Sequence, residues 1–295
     1  MKIVNVIGGL GNQMFQVAFA LAIKWNSPDE DVLIDIQQFR HPFVKSFRGV
    51  NFCHNGYEVD NYFLKASLPI ASALQVAKVS YYLPNYLLNR ICRKILPQRK
   101  SEFKQFNSYI FNPKVFDIKE DCYFEGYWQH YKYYVGIRDN LIQAFQFPIP
   151  NENNSKTADI IKLTASIGIH VRRGDYVNNR GFGGVCNLEY YLKALKLVEI
   201  TPETHFFIFS NDIEWCEENL RPLMKNVTYV DWNQGKDSPW DMFLMSQCKQ
   251  LIIANSSFSW WGAFLNQQAS KIVAPKTWNK LVTDMHIQMP DWTLI

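Results

Sequence analysis

Short β-branched runs alternate along this chain with stretches whose apolar residues return every three or four positions. Ile3–Ile7 and Val32–Ile36 are such runs, with Phe15, Ala18, Phe19, Ala22 and Ile23 at helical spacing between them. From residue 165 the alternation becomes regular. Strands are predicted at Ile167–Val171, Phe206–Phe209, Val227–Val230, Leu251–Ala254 and Ile272–Val273. Helices are predicted at Leu188–Glu199, Ile213–Leu220, Pro239–Lys249 and Phe258–Gln268. Strands separated by helices of about ten residues build βαβ units and a parallel sheet. Such strands are buried on both faces, so they read as continuous apolar runs.

The 295 residues suffice for two domains. Pro148–Ser155, rich in Pro and Asn, continues neither periodicity and is the predicted linker. It separates residues 1–150 from 156–295. Ahead of it lie an aromatic and polar stretch, Phe124–Tyr134, and an amphipathic helix ending near Phe147.

Composition narrows the class. A 47% apolar and 20% charged chain is globular, and a net charge of +4 is too mild for a nucleic-acid binder. Six cysteines are scattered without metal-ligand spacing, which argues against zinc and against a disulfide framework. Neither a signal peptide nor an apolar run of about 18 residues is present, so the expected location is the cytoplasm. Residues 65–100 contain seven Lys and Arg and no acid. Such a segment is either a helical hairpin with a solvated basic face or a surface for the cytoplasmic side of a membrane and its lipid-linked glycans.

Candidate chemistry gathers at predicted strand ends, where ligands sit in open α/β sheets. His170-Val171-Arg172-Arg173-Gly174-Asp175 leaves one strand, and two guanidiniums there suit a diphosphate. A plainer account has the arginines bridging to Asp175. Ser210-Asn211-Asp212 leaves a second strand, where Asn and Asp also serve as helix caps. Asp241 falls in a first helical turn, where acids are favoured by the helix dipole. Asn255-Ser256-Ser257 precedes a helix whose free amides, with two hydroxyls, could cradle an oxyanion. Gly8-Gly9-Leu10-Gly11-Asn12 makes a similar turn near the N-terminus, without the third glycine of a dinucleotide fingerprint. Asp29-Glu30-Asp31 precedes its strand and reads as a solvated turn, not a metal site.

Taken together, GGLGNQMFQ, HVRRGDY, FSNDIEW and ANSSFSWWGAFL resemble the α-1,2-fucosyltransferases of glycosyltransferase family 11. The resemblance runs from residue 8 to about 265. It implies an α/β fold of the GT-B type, with two Rossmann-like domains facing a central cleft. It implies GDP-β-L-fucose as donor, a terminal β-galactoside as acceptor, and inverting transfer to the 2-hydroxyl with no metal or other cofactor. By the same resemblance Arg172 contacts the β-phosphate and assists its departure, and His170 lies near guanine and ribose. Asp241 would read guanine N1 and N2, and Ser256 and Ser257 would hold phosphate oxygens. Gly11 and Asn12 would approach the donor from the N-terminal domain. Arg173 is a further donor contact, unless an ion pair with Asp175 explains both. The general base is open among Asp35, His41 and Glu125. Other readings are a transferase of different donor or linkage, a non-catalytic glycan-binding relative, and a nucleotide-dependent dehydrogenase.

Overall fold

The computed structural model describes residues 1–40, 55–80 and 83–295; His41 and Cys53 lie outside them. The chain divides into two units, Met1–Gln146 and Phe147–Ile295.

The first unit runs β1 (Lys2–Asn5), α1 (Leu10–Asn26), β2 (Val32–Asp35), α2 (Gln37–Arg40), α3 (Val59–Tyr62), α4 (Ala73–Val79), α5 (Tyr86–Ile95), β3 (Glu102–Lys104), β4 (Cys122–Glu125) and α6 (Arg138–Ala144). Its four strands are parallel in the order β2-β1-β4-β3. The helix predicted from Phe15–Ile23 begins earlier, at Leu10, because Gly9 supplies an extended N-cap. Gly11 and Asn12 therefore belong to the first turn of α1. The helix is buried from Met14 to Ile23, which explains its nearly continuous apolar sequence.

Aromatic residues fill this core. Phe19 stacks on Trp128 at 3.8 Å between ring centroids, and Phe124 and Tyr133 meet Phe19 edge-on at 5.5 Å. Trp128 is fully buried at a left-handed φ of 56°, a strained conformation that the surrounding rings hold in place. The aromatic stretch around residues 124–134 is thus largely core, and its start is a strand.

The second unit runs α7 (Glu152–Leu163), β5 (Ala165–Val171), α8 (Leu188–Leu195), β6 (Thr204–Ser210), α9 (Ile213–Asn219), β7 (Asn226–Val230), α10 (Pro239–Met245), β8 (Gln250–Ile252), α11 (Ser257–Phe264), β9 (Lys271–Ala274) and β10 (Thr293–Leu294). All six strands are parallel, in the order β10-β9-β8-β5-β6-β7. This is the doubly wound Rossmann order, and the strand order reverses between β5 and β8. That reversal is where a ligand is expected outside the strand ends.

The predicted linker is shorter than its sequence suggests. Asn151 accepts the Asn154 backbone N–H at 3.0 Å and caps α7, so Glu152–Ser155 are helical. Phe147 already packs on Trp240 and Phe243 of the second unit, at 6.0 and 5.6 Å. Helices α8, α10 and α11 each end about a turn before their apolar periodicity does. For α10 the reason is visible: the Asn266 side-chain amide donates to the Met245 and Cys248 carbonyls at 3.2 and 2.7 Å. Trp260 and Trp261 are fully buried, and the Trp260 indole donates to the Ile287 carbonyl at 2.7 Å. The tandem tryptophans are therefore core, and they anchor α11 behind its serines.

Gly168 leaves no room for a side chain between β5 and the residues of and before β8. A Cβ there would meet Leu251 Cδ2 at 2.7 Å and Cys248 Sγ at 2.8 Å. Gly168→Ala is expected to destabilise the fold by about 1–3 kcal/mol through overpacking, seen as a lower urea midpoint with an unchanged slope. No helix among the described residues is long and apolar enough to cross a membrane.

Candidate functional site

The carboxyl ends of β5 and β8, neighbours at the reversal point, carry His170–Arg172 and Asn255–Ser257 respectively. His170 is buried, with its ring 5.9 Å from that of Phe258 in the first turn of α11. Burial, aided by the nearby Arg172 charge, drives its pKa down to about 3, so the imidazole is neutral. Its Nδ1 is buried and has no hydrogen-bond partner among the described residues.

Arg172 Nη2 pairs with Asp175 Oδ1 at 2.7 Å, and the guanidinium lies 5.4 Å from the centre of the Tyr176 ring. Its Nε, also buried, has no hydrogen-bond partner among the described residues. Two polar atoms without partners at one strand end mark a place built to receive an acceptor-bearing ligand, because a buried polar group normally finds a bond.

Arg173 behaves differently. Its Nε meets Asp212 Oδ2 at 2.8 Å, its guanidinium covers Trp215 at 4.5 Å, and its backbone N–H donates to Asn211 Oδ1 at 3.0 Å. The expected Arg173–Asp175 pair is thus replaced: Asp175 holds Arg172, and Asp212 holds Arg173. Gly174 has φ +23°, and a Cβ there would lie 2.2 Å from Asn211 Nδ2, so no side chain fits. Asp212 also caps α9 by accepting the Trp215 N–H at 3.2 Å.

Ser256 occupies the N-cap position of α11, yet its side chain makes no capping bond. Ser259 closes the turn instead, donating to the Ala254 and Ser256 carbonyls at 3.0 and 3.1 Å. Asn255 donates to the Phe182 and Trp278 carbonyls at 3.2 and 3.0 Å, fixing the approach to the helix. Ser256 is buried and Ser257 half-buried. An α11 N-terminus without a side-chain cap leaves positive dipole and amide hydrogens for an anion.

Asp241 enters from the loop after β7, in the first turn of α10. Burial pushes its carboxyl up to about 7, although Asn233 Nδ2 donates to it at 3.0 Å and pulls the other way. Asn233 belongs to a polar network that sequence reading missed. Asn233 and Asn154 exchange amide bonds at 2.8 and 2.9 Å, and the Trp232 indole donates to Asn154 at 3.1 Å. A cavity of about 550 Å³ opens beside it, lined by Asn151, Glu152, Lys156, Trp232, Asn233 and Asp237. The available signal was Trp232-Asn233 within three residues of a predicted strand end, as Asn211 and Asn255 also are.

In the first unit, Gly8 takes φ 83° and Gly9 opens α1. Asn12 Oδ1 accepts from Gln129 Nε2 at 2.9 Å, joining the ends of neighbouring β1 and β4. The glutamines of the motif are structural. Gln13 donates to the Gly8 and Gly56 carbonyls and accepts the Glu58 N–H, and Gln16 bonds Ile7 and Gly126. Asp35 accepts the Gln37 N–H and the Tyr123 hydroxyl at 2.9 and 2.8 Å, and Glu125 pairs with Lys104 at 3.3 Å. Both carboxylates are thus engaged structurally, and His41 lies outside the described residues. Glu58, absent from the sequence candidates, is a buried carboxyl raised by desolvation and latched beside the glycine turn. Among the described residues no group of three or more His, Cys, Asp or Glu gathers as metal ligands; Glu30 of the acidic tripeptide pairs with Lys2 at 3.6 Å.

The profile of Glycosyl transferase family 11 matches residues 1–295. An α-1,2-colitosyltransferase of Escherichia coli is 31% identical over 285 residues, 94% of this chain and 91% of that protein. Galactoside α-(1,2)-fucosyltransferase 1 of Homo sapiens is 35% identical over 134 residues, 44% of this chain and 36% of that protein. Among solved structures, NodZ α-1,6-fucosyltransferase soaked with GDP-fucose is similar at a TM-score of 0.52 and 14% identity, covering 93% of this chain and 94% of that one. That likeness agrees with the two parallel-sheet units in showing a GT-B fold. With a profile match across its whole length, this chain is a glycosyltransferase and belongs to glycosyl transferase family 11.

Proposed function

We propose that the enzyme transfers L-fucose from GDP-β-L-fucose to the 2-hydroxyl of a terminal β-galactoside, with inversion and without a metal ion. The observation that carries this reading is the pairing at the β5/β8 reversal of Arg172, with its unpartnered Nε, and an α11 N-terminus without a side-chain cap. As the C1–oxygen bond to the β-phosphate breaks, negative charge grows on GDP. A fixed guanidinium and helix-end amides stabilise that charge without reorganising. The acceptor oxygen bonds to C1 from the opposite face, its proton passes to water, and GDP leaves with the electrons of the broken C1–oxygen bond.

Arg172 takes the β-phosphate, Ser256 and Ser257 take phosphate oxygens, and neutral His170 offers Nδ1 near the ribose. Asp241 reads guanine, and Arg173 serves the donor through the turn it holds in shape. Gly11 and Asn12 present the first unit's turn to sugar hydroxyls. The five described cysteines are free thiols, in keeping with a cytoplasmic enzyme.

The colitosyltransferase relative supports a second reading, in which the transferred sugar lacks the 3-hydroxyl of fucose. One experiment tests both: incubation with GDP-fucose or GDP-colitose and a panel of β-galactosides, with and without chelator, followed by linkage analysis. An α-1,2-fucosyl product formed equally under chelation is expected. Preference for GDP-colitose transfers the assignment to the second reading. Turnover that requires manganese overturns the metal-free step.

A further inference from the structure

Residues 65–100 serve neither the core nor the donor site fully. Helix α4 docks in the ordinary way, burying Val76 and Val79 against Ile3, Leu33 and Tyr123. Arg99 donates to the Ala77 and Lys78 carbonyls at its end, both at 2.7 Å. Of α5, Tyr86 packs against this same cluster. Beyond it the helix turns apolar side chains outward: Leu88, Ile91 and Ile95 are 51%, 57% and 77% exposed. Their spacing of three and four places them on one face. Leu74 of α4 and the flanking Leu83 and Leu96 are exposed as well. The same helix carries Arg90, Arg93 and Lys94, with exposed Lys78 and Lys100 on either side and no acid anywhere in the segment.

A helix that docks on its own protein buries its apolar stripe, so three large aliphatic side chains in water call for an occupant. We propose that α5 and its flanks form an interfacial docking surface for an anionic lipid bilayer. The helix lies in the headgroup plane, Leu88, Ile91 and Ile95 reach the acyl boundary, and the exposed Lys78 and Lys100 on either side meet lipid phosphates. Charge selects this occupant. A second copy would press one acid-free, seven-cation segment against another, whereas an anionic surface strengthens binding by about fivefold per basic residue near it. This inference does not depend on the identity of the sugar donor.

The test is co-sedimentation of the intact protein with vesicles of equal parts phosphatidylcholine and phosphatidylglycerol, against vesicles of phosphatidylcholine alone. Binding to the anionic vesicles is expected to be at least about tenfold tighter and to weaken with added salt. The triple variant Leu88→Ser, Ile91→Ser, Ile95→Ser and the triple variant Arg90→Glu, Arg93→Glu, Lys94→Glu should each lower that binding about tenfold or more. Their unfolding midpoints should match the parent. If a triple variant unfolds early, Ile95→Ser, at the most exposed of the three positions, replaces it. A parent protein that stays in the supernatant overturns the proposal, as do variants that bind vesicles like the parent. A dimer in sedimentation velocity that the serine variant dissolves would assign the surface to a second copy instead.

Discussion

Arg172→Ala is expected to lower turnover by roughly thirty- to several-thousand-fold, which corresponds to the 2–5 kcal/mol lost when one partner of a buried charge pair is removed. The guanidinium sits at the end of β5, held at one nitrogen by Asp175 and lying near Tyr176. That support fixes its orientation before the leaving group develops charge, so the loss should appear in kcat more than in donor binding. Arg172→Lys should fail almost as badly. An ammonium keeps the charge but cannot hold Asp175 with one nitrogen and present another in the same plane. Arg173 supplies the contrast. Its contacts with Asp212, Trp215 and Asn211 are internal, so Arg173→Ala should first lower the unfolding midpoint. Steady-state kinetics and urea unfolding on the three variants separate these effects. A lysine variant with near-parental kcat would remove Arg172 from the chemistry.

That contrast between neighbouring arginines was beyond the reach of sequence. Both lie in one charged turn, and which acid meets which arginine depends on how β5 and β6 sit side by side. The strands themselves were legible, because Ile167–Val171 and Phe206–Phe209 are predominantly apolar runs and buried parallel-sheet strands require that, while the edge strand Val227–Val230 keeps the β-branched composition. The first unit was harder to read. Glu102–Lys104 spans three residues, and Cys122–Glu125 merges into an aromatic stretch with no clean period. β4 takes its place from β1, more than a hundred residues away, and the edge strand β3 pairs only with β4. Helix limits depart from the apolar periodicity where side chains cap the backbone, at Asn151 before α7 and at Asn266, which bonds the end of α10 from beyond α11. The donor-site motif was visible as a string of residues. The Asn154–Asn233 network behind Asp241 was not, because its members come from three separate elements.

The second large effect concerns that acid. Asp241→Asn is expected to weaken GDP binding by about a hundredfold or more, since hydrogen bonds to a charged group are each worth about 1.5–3 kcal/mol and guanine would donate two. An asparagine would also point an amide donor at the donors of the base. The native binding should depend on pH in a definite direction. Without nucleotide, burial raises the Asp241 carboxyl from 3.8 to about 7, whereas guanine needs the ionised form. Below pH 7 binding must expel a proton, and affinity should fall by up to about tenfold per pH unit. Between the unfolded value near 3.8 and the folded value near 7, the folded state holds more protons than the unfolded one. This group's stabilising contribution is therefore full below pH 3.8 and lost as pH rises through 7. GDP should offset that loss, so the rise in unfolding temperature on adding GDP should be larger at pH 8 than at pH 6. The asparagine variant should show neither trend. Calorimetric titration of GDP into both proteins across this range is decisive. A flat affinity profile in the parent, or parental affinity in the variant, would mean that this carboxylate does not read the base.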